Sequence, residues 1–274
     1  MDKFNQIIFW CEFPNKVNSK TIKLIDFDTE VYITAKTVKE YKQLSKRFKN
    51  KHIKIGLWPI LSFEAGYWFS KYTKKEDIDK LKEFDGINMK IDIETPIPTK
   101  SFLFKKFSLY SLIRDANKEL KNHKYDNKEY LLNVINSLKS KKIIISGFPF
   151  PNFISKGYGD DSTQFNKNFY RNHFLYTTFF QNKLLKKIIK FYYSIFVKHK
   201  LKKYPLDKIY FAIGCTGSGV FSTEPTYKNV QEFEKELDDF LKWGVKNLVV
   251  FNLEGILNRK NPGYWLKSLK ERLQ

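Results

Sequence analysis

A single (β/α)8 barrel spanning residues 1–274 is the fold class this sequence predicts, and three observations predict it. Eight apolar, β-branched runs alternate with longer helical patterns. The length of 274 residues lies close to the ~250 typical of one such barrel. The residues able to do chemistry fall at or just after the C-terminal ends of the runs, the functional face of this architecture.

The elements follow in order. The first strand is expected over Ile7–Phe13, the second over Glu30–Ala35, with a lysine-rich helix over Val38–Lys49. A third strand, Ile53–Leu61, ends in Gly-Leu-Trp-Pro, and Lys74–Phe84 reads as a helix. The fourth strand, Ile87–Glu94, is stopped by Thr-Pro-Ile-Pro, and helical patterns fill Phe107–Leu138. Lys142–Ser146 is the fifth strand, and Pro149–Asn168 reads as a loop on the active face. The sixth strand is placed at Asn172–Phe179, followed by a helix over Asn182–Lys203. Lys208–Gly214 is the seventh strand, and Val230–Trp243 is a helix stopped by Gly244. Asn247–Leu253 is the eighth strand, and Pro262–Leu273 closes the chain as a helix. An open doubly wound sheet is the competing class, but no strand is followed by a Gly-x-Gly-x-x-Gly turn opening a helix. No internal repeat, low-complexity linker or domain boundary interrupts the pattern.

Composition bounds the function. With 26 Phe, 16 Tyr and 5 Trp the chain can bury a sizeable core without a disulfide or metal staple. Cys11 and Cys215 form no ligand pattern and read as small buried hydrophobes, to be bridged only if the fold brings them together. The net charge of +21 implies either an anionic partner or compositional drift. Lysine outnumbers arginine 45 to 5, which favours drift, because a phosphate-gripping surface uses the planar arginine fork. No specific nucleic-acid partner is therefore expected from this basic protein. The run Ile7–Trp10 is too short for a signal peptide core, and no run reaches the length of a membrane span, so the expected location is the cytoplasm. The basic amphipathic stretch Lys183–Lys203 suits either an outer barrel helix or peripheral contact with an anionic membrane, the first reading being preferred.

The segment Lys90-Ile91-Asp92-Ile93-Glu94 carries the sharpest chemical signal. Alternation along a strand puts Lys90, Asp92 and Glu94 on one side, facing the barrel axis, and Ile91 and Ile93 on the other. Two carboxylates and an ammonium in a confined site perturb one another's proton affinities, and one carboxyl then stays protonated, as a general acid must. The plain structural alternative is a neutralised charge layer inside the barrel. Glu12 and Glu254 end neighbouring strands of a closed barrel, so either can supply a second carboxylate opposite Glu94. The aromatics Trp58, Tyr67 and Trp68 follow strand three, where they can stack on sugar rings or simply cover the barrel mouth. Asn252 stands at the end of strand eight. Gly214-Cys215-Thr216-Gly217-Ser218-Gly219 is either a tight turn or a phosphate cradle, with Glu224 and Tyr227 just beyond. His52, His123, His173 and His199 lack metal-ligand spacing and read as structural, which argues against a zinc hydrolase or a Ser-His-Asp triad.

The fourth strand resembles that of family 18 glycoside hydrolases, the chitinase-like barrels. Phe84-Asp85-Gly86 matches the lead of that strand with two extra residues intervening, and Asp92, Glu94 and Pro96 match its last Asp, Glu and proline. Lys90 stands where the family has its first Asp, and Phe251-Asn252-Leu253-Glu254 stands where it has a tryptophan. An Asp-x-Glu on a barrel strand is also found in family 25 lysozymes. The resemblance implies a cofactor-free, carbohydrate-active hydrolase that cleaves a glycosidic bond. Glu94 would be the general acid, and Asp92 would orient the substrate's acetamido group.

Three functional classes stay open. In the first, Glu94, Asp92 and Glu254 catalyse, while Glu12, Trp58, Tyr67, Trp68, Lys90 and Asn252 bind the sugar. The second is a divalent-metal-dependent phosphoester hydrolase or lyase. There Glu12, Asp92, Glu94 and Glu254 hold Mg2+ or Ca2+, and Gly217–Gly219 accept phosphate. The third is a non-catalytic, glycan-binding barrel.

Overall fold

The computed structural model describes residues 2–96, 126–150, 152–160 and 169–274. Strands β1 (Gln6–Cys11), β2 (Thr29–Ala35), β3 (Ile53–Pro59), β4 (Met89–Asp92), β5 (Ile143–Gly147), β6 (Tyr170–Phe174), β7 (Ile209–Gly214) and β8 (Asn247–Phe251) are all parallel. They close in sequence order, β8 pairing with β1 through Ile8–Val249 and its neighbours. The expected (β/α)8 barrel is the fold. Helices α1 (Val38–Ser45), α2 (Lys75–Asp79), α3 (Lys128–Ser137), α4 (Asn152–Tyr158), α5 (Lys183–Lys203), α6 (Val230–Lys242), α7 (Leu253–Leu257) and α8 (Pro262–Lys270) complete the described elements. Among the described residues, no helix is long and apolar enough to cross a membrane.

Strand alternation decides which side chains meet. Ile7, Phe9, Val31, Ile33, Phe211, Leu248 and Val250 point outward and bury against the helices. Leu57, Ile91, Ile93 and Ile145 do the same on the other side of the barrel. Ile8, Trp10, Tyr32, Trp58, Ile144, Phe174, Tyr210, Val249 and Phe251 fill the interior. Interior and exterior therefore differ by one residue in register, and a one-residue slip of any strand would exchange them.

The N-terminal end of the barrel is plugged by polar groups. Lys142 Nζ lies 2.9 Å from both carboxylate oxygens of Glu30. Tyr32 Oη donates to Glu30 at 2.7 Å, Gln6 Nε2 donates to it at 3.1 Å, and Tyr210 Oη donates to Gln6 at 2.6 Å. Residues of β1, β2 and β7 and the residue before β5 are thus tied across the axis, and the C-terminal ends of the strands form the opposite end, the mouth.

Several boundaries differ from expectation. β6 begins at Tyr170, not Asn172, and ends at Phe174; Thr177–Phe179 is a 3-10 turn. The β-favouring aromatics run past the sheet edge, while the strand's true start was hidden behind a polar loop. β8 stops at Phe251, because Asn252 caps the short helix α7, its Oδ1 accepting from Gly255 N at 2.9 Å. β1, β3 and β4 are likewise shorter than their apolar runs, although Ile93 extends β4 by a bridge to Phe69. The runs expected as helices α1 and α2 finish in 3-10 turns, Lys46–Phe48 and Lys80–Phe84. Residues 107–125 of the expected helical stretch, with His123, lie outside the described residues. So do residues 151 and 161–168 of the expected loop, whose remainder includes α4. Cys11 and Cys215 are free thiols, buried in place. Gly244 takes a left-handed φ of 90° directly after α6, the stop its position implied.

Candidate active site at the barrel mouth

The site is built on β4. Its period-two geometry turns Lys90 and Asp92 inward, and Glu94 follows just past the strand end. All three are buried. Lys90 Nζ donates to Asp92 Oδ2 at 2.5 Å. The same ammonium stands 3.1 Å from the centroid of the Trp58 ring, 5.0 Å from that of Trp10 and 5.5 Å from that of Phe174. A buried cation is costly unless paired, and here a carboxylate and three aromatic rings supply the pairing. Burial depresses the proton affinity of Lys90, with Asp92 opposing the change.

The two carboxyls of β4 have different surroundings. Burial raises the proton affinity of Asp92, and the charge of Lys90 opposes it. Glu94 is raised well above the usual carboxylate range, first by burial and second by the charge of Asp92. The backbone holds Glu94 in place, its N–H donating to Phe69 O at 3.0 Å. Asp92 therefore suits the role of standing anion, and Glu94 that of standing acid.

Around this pair lies a set of buried polar atoms without hydrogen bonds to other described residues. They are Asp92 Oδ1, Ser146 Oγ, Trp58 Nε1, and both Asn172 side-chain atoms. They come from β3, β4, β5 and β6, four consecutive strands. Ser146 and Asn172 were not among the residues expected from sequence. Alternation from Ile144 finds Ser146, and Asn172 follows from Phe174 once β6 is correctly started. Tyr176 joins them from beyond β6, its ring stacked 5.4 Å from Phe251 and packed where a side chain on Gly214 would stand.

The remaining acids of the mouth are bound into its walls. Glu12 accepts from Tyr67 Oη at 3.1 Å and from Val220 N at 2.8 Å. Burial raises its proton affinity well above normal, with Glu224 and Glu254 adding to the effect. Glu224 accepts from Gly219 N at 2.6 Å, and burial pushes its carboxyl up to about 8. Glu254, on α7, accepts from the backbone N–H groups of Glu12 and Phe13 at 2.9 and 2.8 Å, pinning the chain after β1. Asn252 likewise serves structure, capping α7 and donating to Ser218 O at 3.3 Å. The structure thus gathers Lys90, Asp92, Glu94 and Trp58 at one point, and gives Glu254 and Asn252 backbone partners.

The Gly-rich turn and the aromatics after β3 share these contacts. The amides of Gly219 and Val220 donate to Glu224 and Glu12, and Gly217 packs so closely on Gly255 that a Cβ would lie 2.5 Å from its Cα. The turn thus links β7 to α7. Tyr67 is buried with Val220 and Phe221, and Trp68 packs against that group. Of this aromatic set, Phe63 and Trp68 are half-buried. Among the described residues, no three Asp, Glu, His or Cys side chains converge as a metal site. His173 is buried against Phe196 and Phe211 outside the barrel, and burial lowers its proton affinity.

No protein-family model matches the chain, and no curated protein matches it. Solved structures do. The PgaB (BpsB) glycoside hydrolase domain from Bordetella bronchiseptica superposes over 98% of this chain and 99% of its own, at 8% identity and a TM-score of 0.59. A family GH18 chitinase from Cycas revoluta, in complex with allosamidin, covers 96% of this chain and 99% of its own at 9% identity, with a TM-score of 0.49. A xylose isomerase domain protein from Planctomyces limnophilus covers 99% and 98% at 9% identity, also with a TM-score of 0.49. Barrels of glycoside hydrolases, GH18 chitinases among them, are thus among the structural neighbours. At these identities the likeness is one of fold.

Proposed function

We propose that this chain is a carbohydrate-active hydrolase that cleaves a glycosidic bond at the mouth of the barrel. The observation that carries the reading is the Asp92–Glu94 pair. Two buried carboxyls two residues apart sit in unlike environments, one ion-paired to Lys90 and the other with a strongly raised proton affinity. Acid catalysis at a glycosidic oxygen needs that division of labour.

In this reading Glu94 protonates the leaving oxygen as the bond from the anomeric carbon breaks. Asp92 faces the positive charge that develops on the sugar, or holds a polar substituent that does. Glu94, now a carboxylate, takes a proton from the water that completes the reaction. Lys90 keeps Asp92 ionised. Ser146, Asn172 and the Trp58 indole N–H offer hydrogen bonds to sugar hydroxyls, and Trp68 an apolar face. Glu12, Glu224, Glu254, Asn252 and Tyr67 hold the walls.

Hydrolysis of a panel of chromogenic glycosides and N-acetylated oligosaccharides tests this, using wild type and Glu94→Gln with and without EDTA. The expected result is turnover that survives EDTA and is lost in Glu94→Gln. Turnover that EDTA abolishes would move the assignment to a metal-dependent reaction. Saturable glycan binding without turnover would make the barrel a binding module.

A further inference from the structure

Helix α5 carries two apolar rows, and the fold uses one. Tyr193 and Val197 are buried against the barrel, with Ile189, Phe196 and Leu201 packed beside them. On the opposite side, Leu184, Ile188, Phe191 and Ile195 repeat at helical spacing and stand 53–69% exposed, with Leu185 on their flank at 44%. Phe191 and Leu184 are the most open, at 68% and 69%. Isolated exposed apolar residues are ordinary, but a continuous row of four on one helix marks a contact surface.

The charges around the row indicate what it contacts. The 21 residues of α5 contain eight lysines and no acidic residue. Lys186 and Lys190 turn back toward Glu236 and Asp239 of α6. Lys183, Lys187, Lys198, Lys202 and Lys203 are exposed, and none forms an ion pair with another described residue. On a helical wheel Lys187 and Lys198 border the row, and Lys202 and Lys203 continue it beyond Ile195. The row lies on the side of the helix away from the barrel. An apolar row bordered by lysines that have no ion pair among the described residues, on a molecule of net charge +21, complements acyl chains beneath anionic headgroups.

We propose that the outward row of α5 seats this protein on an anionic lipid bilayer, with Leu184, Ile188, Phe191 and Ile195 entering the headgroup layer and the bordering lysines on lipid phosphates. The surface is independent of the chemistry assigned to the mouth.

The test is co-sedimentation of the full chain with vesicles of phosphatidylcholine alone, or with phosphatidylglycerol making up a third of the lipid. Wild type is expected to bind the anionic vesicles about tenfold more tightly than the neutral ones, with affinity falling as salt rises. Ile188→Glu/Phe191→Glu changes only exposed positions; it should melt like wild type and lose about tenfold in binding. A Phe191→Trp variant should shift its emission to the blue on anionic vesicles, reporting insertion of this row. Failure of wild type to sediment with anionic vesicles would overturn the proposal. So would full binding by the double glutamate variant with no shift from the tryptophan reporter, which would assign binding to diffuse charge. A concentration-dependent dimer abolished by the same double variant, without vesicle binding, would make a second copy the occupant.

Discussion

Lys90 Nζ lies 2.5 Å from Asp92 Oδ2 inside the barrel, with the ammonium against the face of the Trp58 ring. Neither side chain exposes more than 2% of its surface. Two charges of opposite sign on alternate residues of one strand thus neutralise one another where water is excluded. Breaking such a pair leaves the partner charge buried alone, at a cost of about 3–5 kcal/mol. Lys90→Met is expected to destabilise the barrel by that order, measured by urea denaturation at pH 7. The double variant Lys90→Met/Asp92→Asn should recover much of the loss, because no lone carboxylate remains.

Glu94→Gln keeps the shape of the side chain and removes its proton. If Glu94 is the general acid, turnover should fall by about 10²–10⁴-fold while the thermal midpoint stays near that of wild type. A midpoint that rises slightly would also fit, since an acidic group is being removed from a buried acidic cluster. Unchanged turnover in a folded variant would remove Glu94 from the chemistry.

The glutamate after the Gly-rich turn predicts a pH dependence. Glu224 has a carboxyl raised by burial from 4.5 to about 8. The folded state therefore binds a proton that the unfolded chain releases between those values. Its contribution to stability is fully present below pH 4.5 and is lost as the pH rises to about 8. The slope from this one group approaches ~1.4 kcal/mol per pH unit. Thermal midpoints measured from pH 5 to 8.5 should decline in wild type and decline less steeply in Glu224→Gln. Glu12 and Glu94 are raised in the same direction, so a residual slope should remain in the variant.

Glu254 separates scaffold from catalysis. Glu254→Ala leaves the buried N–H of Glu12 and that of Phe13 without an acceptor, which should cost about 1–3 kcal/mol in a denaturant titration. Glu254→Gln keeps an acceptor oxygen and should retain both turnover and most of the stability. Loss of turnover in a stable Glu254→Gln would instead place this residue among the catalytic groups.

Much of this was legible in the sequence because two periods carry it. Alternation at period two separates Lys90, Asp92 and Glu94 from Ile91 and Ile93, so the polar face of β4 could be read directly. Helical spacing likewise marked α5 and α6. The boundaries were less legible, since apolar runs such as Asn247–Leu253 continue past the point where neighbouring strands stop pairing. The start of β6 was illegible for another reason: it lies behind a polar loop, at Tyr170, two residues before Asn172.

By itself the sequence determined the barrel, the inward set on β4, and the mouth as the place where polar groups collect. These depend on local pattern and on the rule that parallel strands need covering helices. Only the tertiary structure decided which of five acids lie beside Lys90 in the interior and which meet backbone donors. Glu12, Glu224 and Glu254 read in sequence like Asp92 and Glu94, as acids near strand ends. Their roles follow from partners 5 to 242 residues away, Gly219, Val220, Phe13 and the backbone of Glu12. A carboxylate's function is set by the donors that meet it, and those donors are brought together only when the barrel closes.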